Sequence, residues 1–413
     1  MSNIFAPIQA YFRHSKRTQE NIWQPSHVFA ADKTLRLTDD EQAKIREELP
    51  QAEDGNYYVD AVFEGGGVKG TAFLGVLQCL NDAGIRLRKV AGTSAGAITA
   101  ALIATGFDEH GEFKMAQLEQ RLSTLDYNDF LTQKASPFIF NGDPSDDLQN
   151  PLLMLLNLLL VRKKGQYSSN PFLKWLQEQI DPDKGTFKFF EGNDHKLWYE
   201  QRELQVVISD VSQKAMRVLP KDLGKYGEYE ELLKTFTVAE AVRLSMSIPF
   251  FFEPGKLGGS TIVDGGVLSN FPLWIYDAEE NQRPKCPTFG FRLVDPPKNE
   301  SIQTAVVLFK EMLSTMQAAS DRHYVEKKGY NRVININLHE LGELKVTATQ
   351  FNLTNEHKDA LYKQGYATTK DFLLNKWNWE AHLKARGYDV TQPQKQKAEP
   401  IALRVQKPAP IAA

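Results

Sequence analysis

Several things are scarce in this chain. Of its 413 residues only two are cysteine, Cys79 and Cys286, so no disulfide framework and no cysteine-based metal site is expected. Cys79 sits in an apolar helical run and reads as a core residue. A strong excess of either charge is lacking too: 49 Lys and Arg stand against 52 Asp and Glu. That balance gives no electrostatic footprint for nucleic acid. No apolar run approaches the ~20 residues of a bilayer-spanning helix. The longest runs from Leu152 to Val161. The first residues, Met1 to Pro7, lack a basic region followed by an apolar one, so no standard secretory signal is expected. There is no internal repeat.

What the chain does have is a set of glycine-rich turns at the ends of short apolar runs. Tyr57 to Phe63 reads as a buried strand. It leads directly into Glu64-Gly-Gly-Gly-Val-Lys-Gly70, and a helix is predicted from about Thr71 to Ala83. Strand, glycine loop and helix begin an α/β unit. Gly65, Gly67 and Gly70 satisfy a dinucleotide fingerprint, but that unit needs an acidic residue at the end of its second strand. Here the second strand ends in Gly92-Thr-Ser-Ala-Gly96. A phosphate-binding P-loop is excluded too, because Lys69 precedes Gly70 rather than following it.

Gly92-Thr-Ser94-Ala-Gly96 closes a β-branched run and opens an Ala-rich helix to Thr105. That is the strand–turn–helix setting of a nucleophile elbow, with Ser94 exposed over a helix N-terminus. By itself the motif is equally a tight turn. The glycines at 65 to 67 allow backbone N–H groups to converge on an anion. Lys69 opposes the macrodipole of the helix it precedes, which is best explained by a visiting anionic group; a solvated lysine is the plain alternative. Further on, Thr261-Ile-Val-Asp264-Gly265-Gly266 delivers an aspartate from a strand into a glycine turn.

A serine nucleophile needs a base. The histidines after Asp264 are His323, His339, His357 and His382, and none has a motif around it. The alternative is a dyad with Asp264 as the base. A free carboxylate, pKa about 3.9, is a poor base for a hydroxyl. Burial beside Ile262, Val263 and Phe271 would raise it, and the oxyanion site would supply much of the stabilisation.

Other elements can be placed around these motifs. Thr38 and Glu41 form a capping box for a helix from Asp39 to Leu49, which Pro50 stops. Thr237 and Glu240 cap a second helix to Ser245. Further helices are expected over 172–180, 302–316 and 355–376, and strands over 204–211, 287–294 and 332–338. Residues 4–17 read as an amphipathic arm or a loosely ordered terminus. Leu152 to Val161, followed by Arg162, Lys163 and Lys164, reads as a buried lid or cap helix, or as a segment that dips into lipid with its basic flank at the headgroups. Phe250 to Phe252 are core residues or the lining of an acyl pocket. From about Thr391 the composition is that of a disordered tail.

Together these motifs resemble those of the patatin-like phospholipase family. Residues 64–70 look like its oxyanion loop, 92–96 its elbow, 264–266 its aspartate motif, and Ser245-x-x-x-Pro249 its intervening block. The resemblance spans roughly residues 57–280. It implies a modified α/β-hydrolase fold: a central, mostly parallel sheet flanked by helices, with a lid-like insertion. It further implies a Ser–Asp dyad, no metal, no cofactor, and hydrolysis of lipid acyl esters of phospholipase A type. By position it assigns Ser94 as nucleophile and Asp264 as base, and Gly65, Gly66, Gly67, Val68 and Lys69 to the oxyanion site. Gly70, Gly92, Gly96, Gly265 and Gly266 are motif glycines. A thioesterase, a neutral-glyceride hydrolase and a non-catalytic lipid binder are the alternatives. The implied partner is a phospholipid or membrane surface; some family members also need a protein or small-ligand activator. The expected organisation is an arm and helix (1–56), a catalytic domain (57–295, with 107–203 as the insertion), a C-terminal extension (296–390) and a tail. The expected location is cytoplasmic, peripheral at membranes, or exported as an effector without a standard signal.

Overall fold

The computed structural model describes residues 23–107, 114–131, 165–277, 283–295 and 331–388, apart from 32, 124, 126, 193–195, 342–343, 345 and 349, together with 315, 321, 324–326 and 329. The arm at 4–17, the 152–161 run and the tail lie outside the described residues, as does nearly all of 302–316.

Two short helices, α1 (Ser26–Ala31) and α2 (Asp39–Glu47), precede the sheet. Then come β1 (Tyr57–Phe63), α3 (Ala72–Asp82), β2 (Ile85–Gly92), α4 (Ala95–Ala104), α5 (Met115–Ser123), β3 (Gly165–Tyr167) and α6 (Asn170–Gln179). The chain continues through β4 (Glu203–Asp210), β5 (Ala215–Leu219), α7 (Tyr229–Thr235) and α8 (Val238–Ser245). It closes with β6 (Phe250–Phe252), β7 (Gly255–Leu257), β8 (Ser260–Asp264), β9 (Thr288–Val294), β10 (Val333–Asn337), α9 (Asn355–Asn375) and α10 (Trp379–Ala385).

The main sheet is parallel across β10-β9-β1-β2-β4 and antiparallel where β5, β8 and β7 join it. The fold is the expected α/β arrangement, a central sheet with helices packed against it. Val59, Ala61, Val62 and Phe63 of β1 are all fully buried, as a parallel strand covered on both faces must be. Both expected capping boxes form. Thr38 and Glu41 exchange bonds of 2.9 and 3.3 Å, and Thr237 and Glu240 bonds of 3.0 and 3.1 Å.

β4 is the strand that positions the site. β5 lines one of its edges, since Val206 pairs with both Gly92 and Leu219, and Ile208 with both Asp264 and Arg217. A residue has one partner on each side, so β2 and β8 share the other edge. β2 runs up it and stops at Gly92 opposite Val206; β8 comes down it and stops at Asp264 opposite Ile208. The two strands meet head-on along β4, about 7 Å apart at two residues of strand rise.

Helix α3 is buried along its length from Ala72 to Leu80, between the sheet and α9. The α3–α9 crossing is close enough to need glycine on both sides. A Cβ on Gly75 would lie 1.9 Å from the Tyr362 carbonyl oxygen, and one on Gly365 would lie 2.0 Å from that of Ala72. The C-terminal residues thus supply β10 to the sheet and α9 to the layer over it.

Candidate active site

Ser94 stands between β2 and α4 with φ 52° and ψ −121°, a conformation that non-glycine residues rarely adopt. Such strain costs on the order of 1–3 kcal/mol and persists only where the surroundings impose it. Two features impose it here. The turn is so tight that a Cβ on Gly92 would lie 2.3 Å from the Gly96 backbone, and one on Gly96 would lie 2.2 Å from the Phe63 carbonyl oxygen. The Ser94 N–H also donates to Ser245 Oγ at 2.9 Å, and that hydroxyl donates to the Val207 carbonyl at 2.6 Å. Ser245, wholly buried at the end of α8, thereby ties the elbow to β4.

Asp264 arrives from the opposite direction. Its N–H donates to the Ser247 carbonyl at 2.9 Å, so residues 245–247 hold the backbones of both Ser94 and Asp264. Its Oδ1 accepts from the Gly266 N–H at 2.7 Å. Oδ2 is buried and makes no closed hydrogen bond, while the Ser94 hydroxyl lies near enough to favour the ionised form. Burial dominates and pushes the carboxyl up to about 6, against the pull of Ser94 and Gly266. The direction and cause are those expected from the apolar residues around it.

The glycine loop is less uniform than its sequence. The Gly65 N–H donates to the Asn270 carbonyl at 3.0 Å, the Val68 N–H to the Ala348 carbonyl at 3.0 Å, and the Lys69 N–H to the Gly66 carbonyl at 3.3 Å. Among the described residues, the amides of Gly66 and Gly67 have no acceptor, nor has that of Ala95, the first of α4. The Lys69 ammonium pairs with Asp295 at 2.7 Å, so this cation already has an anion from within the chain. Glu64 is buried behind the loop. Its Oε2 accepts from the Leu293 N–H at 2.6 Å, and burial raises it to about 7 despite Arg292 nearby.

The three motifs touch one another through a short segment past Asp264. Thr93 Oγ1 donates to the Ser269 carbonyl at 3.1 Å. Asn270 Nδ2 donates to the Gly65 carbonyl at 3.0 Å, completing a reciprocal pair with the Gly65 N–H. Gly265 is held by Ser209, whose hydroxyl donates to its carbonyl at 3.2 Å. Motif reading passes over Ser209, Asn270 and Ala95. Only for Ala95 is there a local signal, since it is the residue after a nucleophile at a helix start.

Among the described residues no histidine bonds to Ser94 or Asp264, and no cluster of side chains suits a metal ion; His323 lies outside them. Cys79 and Cys286 are both buried and free. Phe251 and Phe252 are buried, and Phe251 stacks on Phe351 with ring centroids 5.1 Å apart. A cavity of about 20 Å³ is lined by Gly70, Leu74, Ala95, Ile98 and Tyr127, among others. Ser94 and Asp264 are each only 6% exposed. No described helix is long and apolar enough to cross a membrane.

The family model described as patatin-like phospholipase matches residues 61–276. The uncharacterized protein YqhO of Bacillus subtilis is 35% identical, over 78% of this chain and the whole of that one. A probable lipid hydrolase, 463L of invertebrate iridescent virus 6, is 25% identical over 55% of this chain and 67% of its own. Some further relatives are longer, and the chain spans 32% of them. Among solved structures, VipD from Legionella pneumophila aligns with 19% identity and a TM-score of 0.43, over 80% of this chain and 70% of that one.

Proposed function

The chain belongs to the patatin-like phospholipase family, and from that premise we propose that it is a lipid acyl hydrolase of phospholipase A type working through Ser94 and Asp264. The observation that carries this reading is the head-on meeting of β2 and β8 along β4. It brings a strained serine and a buried carboxylate with one unbonded oxygen to the same point. The relative named as a probable lipid hydrolase supports the substrate class.

Asp264, with its carboxyl at about 6, is roughly nine-tenths ionised at pH 7 and still basic enough to take a proton during attack. Ser94 Oγ adds to the ester carbonyl as its proton passes to Asp264 Oδ2. The resulting oxyanion is held by the unengaged amides of Gly66, Gly67 and Ala95, at the positive end of α4. Asp264 returns the proton to the departing lysophospholipid oxygen, leaving an acyl ester on Ser94. Water then adds to that ester, giving its proton to Asp264. The tetrahedral adduct collapses to a free fatty acid, and the proton returns to Ser94 Oγ.

The test compares wild type, Ser94→Ala and Asp264→Asn on mixed phospholipid vesicles, following fatty acid and lysophospholipid by mass spectrometry. Labelling of Ser94 by a fluorophosphonate is measured alongside. Release of both products by wild type alone is the expected result. Labelling without phospholipid cleavage would leave the machinery standing and point to another substrate, such as a thioester or neutral glyceride, or to a missing activator. Absence of both would make the protein a lipid binder.

A further inference from the structure

Outside the family-matched residues, a buried carboxylate bonds to the segment that joins the three motifs. Asp321 is 6% exposed. Its Oδ2 accepts from the N–H groups of Asn270 and Phe271, both at 2.9 Å, and its Oδ1 from the Ser269 hydroxyl at 3.2 Å. Three donors on one buried carboxylate are charge-assisted bonds, stronger and more directional than neutral ones. They all come from the segment that joins the motifs. The Ser269 carbonyl holds Thr93, beside the nucleophile, and Asn270 holds Gly65 through both its side chain and its carbonyl.

We infer that Asp321 is a positioning residue for the reaction: by gripping residues 269–271 it holds the elbow, the glycine loop and the Asp264 turn in one register. It touches no reacting atom. Without it, two amides and a hydroxyl would be left to seek other acceptors within a buried segment. The turn carrying Asp264, and the amides of Gly66 and Gly67, would lose their common anchor. A misplacement of about 1 Å at such a site costs about a hundredfold in rate. Burial pushes the Asp321 carboxyl above its ordinary value, against the pull of its three donors and of Arg292. The other charged group facing it is Glu64, which it repels and which shares that arginine.

This inference rests on the dyad reading, so its test has two readouts. Asp321→Asn keeps the volume but presents an amide where three donors converge. The full chain is compared with wild type for the rate of Ser94 labelling by a fluorophosphonate, for kcat and KM on a soluble ester, and for hydrogen exchange of the peptide covering 264–271. The expected result is a labelling rate and kcat lower by about a hundredfold, KM within a few-fold, and faster exchange confined to that peptide. Labelling at the wild-type rate would overturn the inference whatever the natural substrate. If wild type itself does not label, the dyad reading fails. Exchange then decides alone: unchanged protection at 264–271 overturns the clamp and faster exchange upholds it. Should Asp321→Asn not fold, Ser269→Ala removes only the bond to Oδ1 and takes the same measurements, with a smaller loss expected and none overturning the inference.

Discussion

The main-chain amide of Ser94 is held by the side chain of Ser245, 151 positions further along the chain, at 2.9 Å. The same hydroxyl donates to Val207 on β4 at 2.6 Å, so one oxygen joins the elbow, a helix end and the central strand. Ser245→Ala leaves a buried N–H and a buried carbonyl without their partner. The expected cost is about 1–3 kcal/mol of stability, seen as a lower melting temperature, together with at least a tenfold slower labelling of Ser94. Ser245→Thr, which keeps the hydroxyl, should recover much of both. If Ser245→Ala melts and labels like wild type, the tether has no mechanical role.

The pH dependence follows from Asp264. Its carboxyl titrates at about 6 in the folded chain and near 3.8 when free. Activity needs the ionised form, so kcat/KM rises through pH 6 and levels off by about pH 7 to 8. Stability runs the other way. With the folded pKa above the unfolded one, stability is fully present below about pH 4 and is lost as pH rises through 6, by about 3 kcal/mol at this site. Asp264→Asn should therefore melt higher than wild type at pH 8 and close to it at pH 4. Equal melting of the two at pH 8 would mean that the carboxylate is not held at this cost.

Lys69 should matter less to catalysis than its place in the motif suggests. Its ammonium is paired with Asp295 at 2.7 Å and its amide is turned to the Gly66 carbonyl. Lys69→Met is expected to slow labelling by about fivefold or less, whereas loss of an oxyanion donor costs about 10²–10³. A loss in that larger range would place the cation at the oxyanion.

Gly96→Ala places a Cβ 2.2 Å from the Phe63 carbonyl oxygen and 2.8 Å from that of Glu64. Both contacts are backbone, and neither can yield without moving α4 from β1. The expected outcome is a loss of several kcal/mol, on the scale of overpacking in a tight core, and no labelling of Ser94. Circular dichroism and thermal melting check the first part, and the fluorophosphonate the second.

Much of the fold could be read from local pattern. β1 carries an apolar run with a glycine loop at its end and begins and ends where expected. Both capping boxes are set by four neighbouring residues. β8 is the strand expected to deliver Asp264. Its hairpin partner β7 was also within reach, since Gly258 and Gly259, at φ +52° and +82°, form the two-residue turn between Leu257 and Ser260, a signal that the short strands obscure. β5 is harder to see, because Met216 and Arg217 are only half-buried on an edge and show little alternation. At the site, the residues in motifs were legible because strand–turn–helix geometry leaves a local mark. Ser209, Asn270 and Asp321 leave none. Their roles lie in hydrogen bonds to backbone groups distant in sequence, 205 positions apart for Asn270 and Gly65, which meet only in the assembled fold.

The paired glycines of the α3–α9 crossing set where the molecule can be cut. The family-model match ends at residue 276, yet α3 has buried residues all along its length from 72 to 80, and α9 covers it. A fragment trimmed to that boundary would lose β9 and α9, leaving an uncovered apolar helix and a bare edge on β1, both of which favour self-association. The smallest unit worth expressing therefore runs at least through Trp377, which is buried against Phe289, and the edge of a family match is not the limit of cooperative folding.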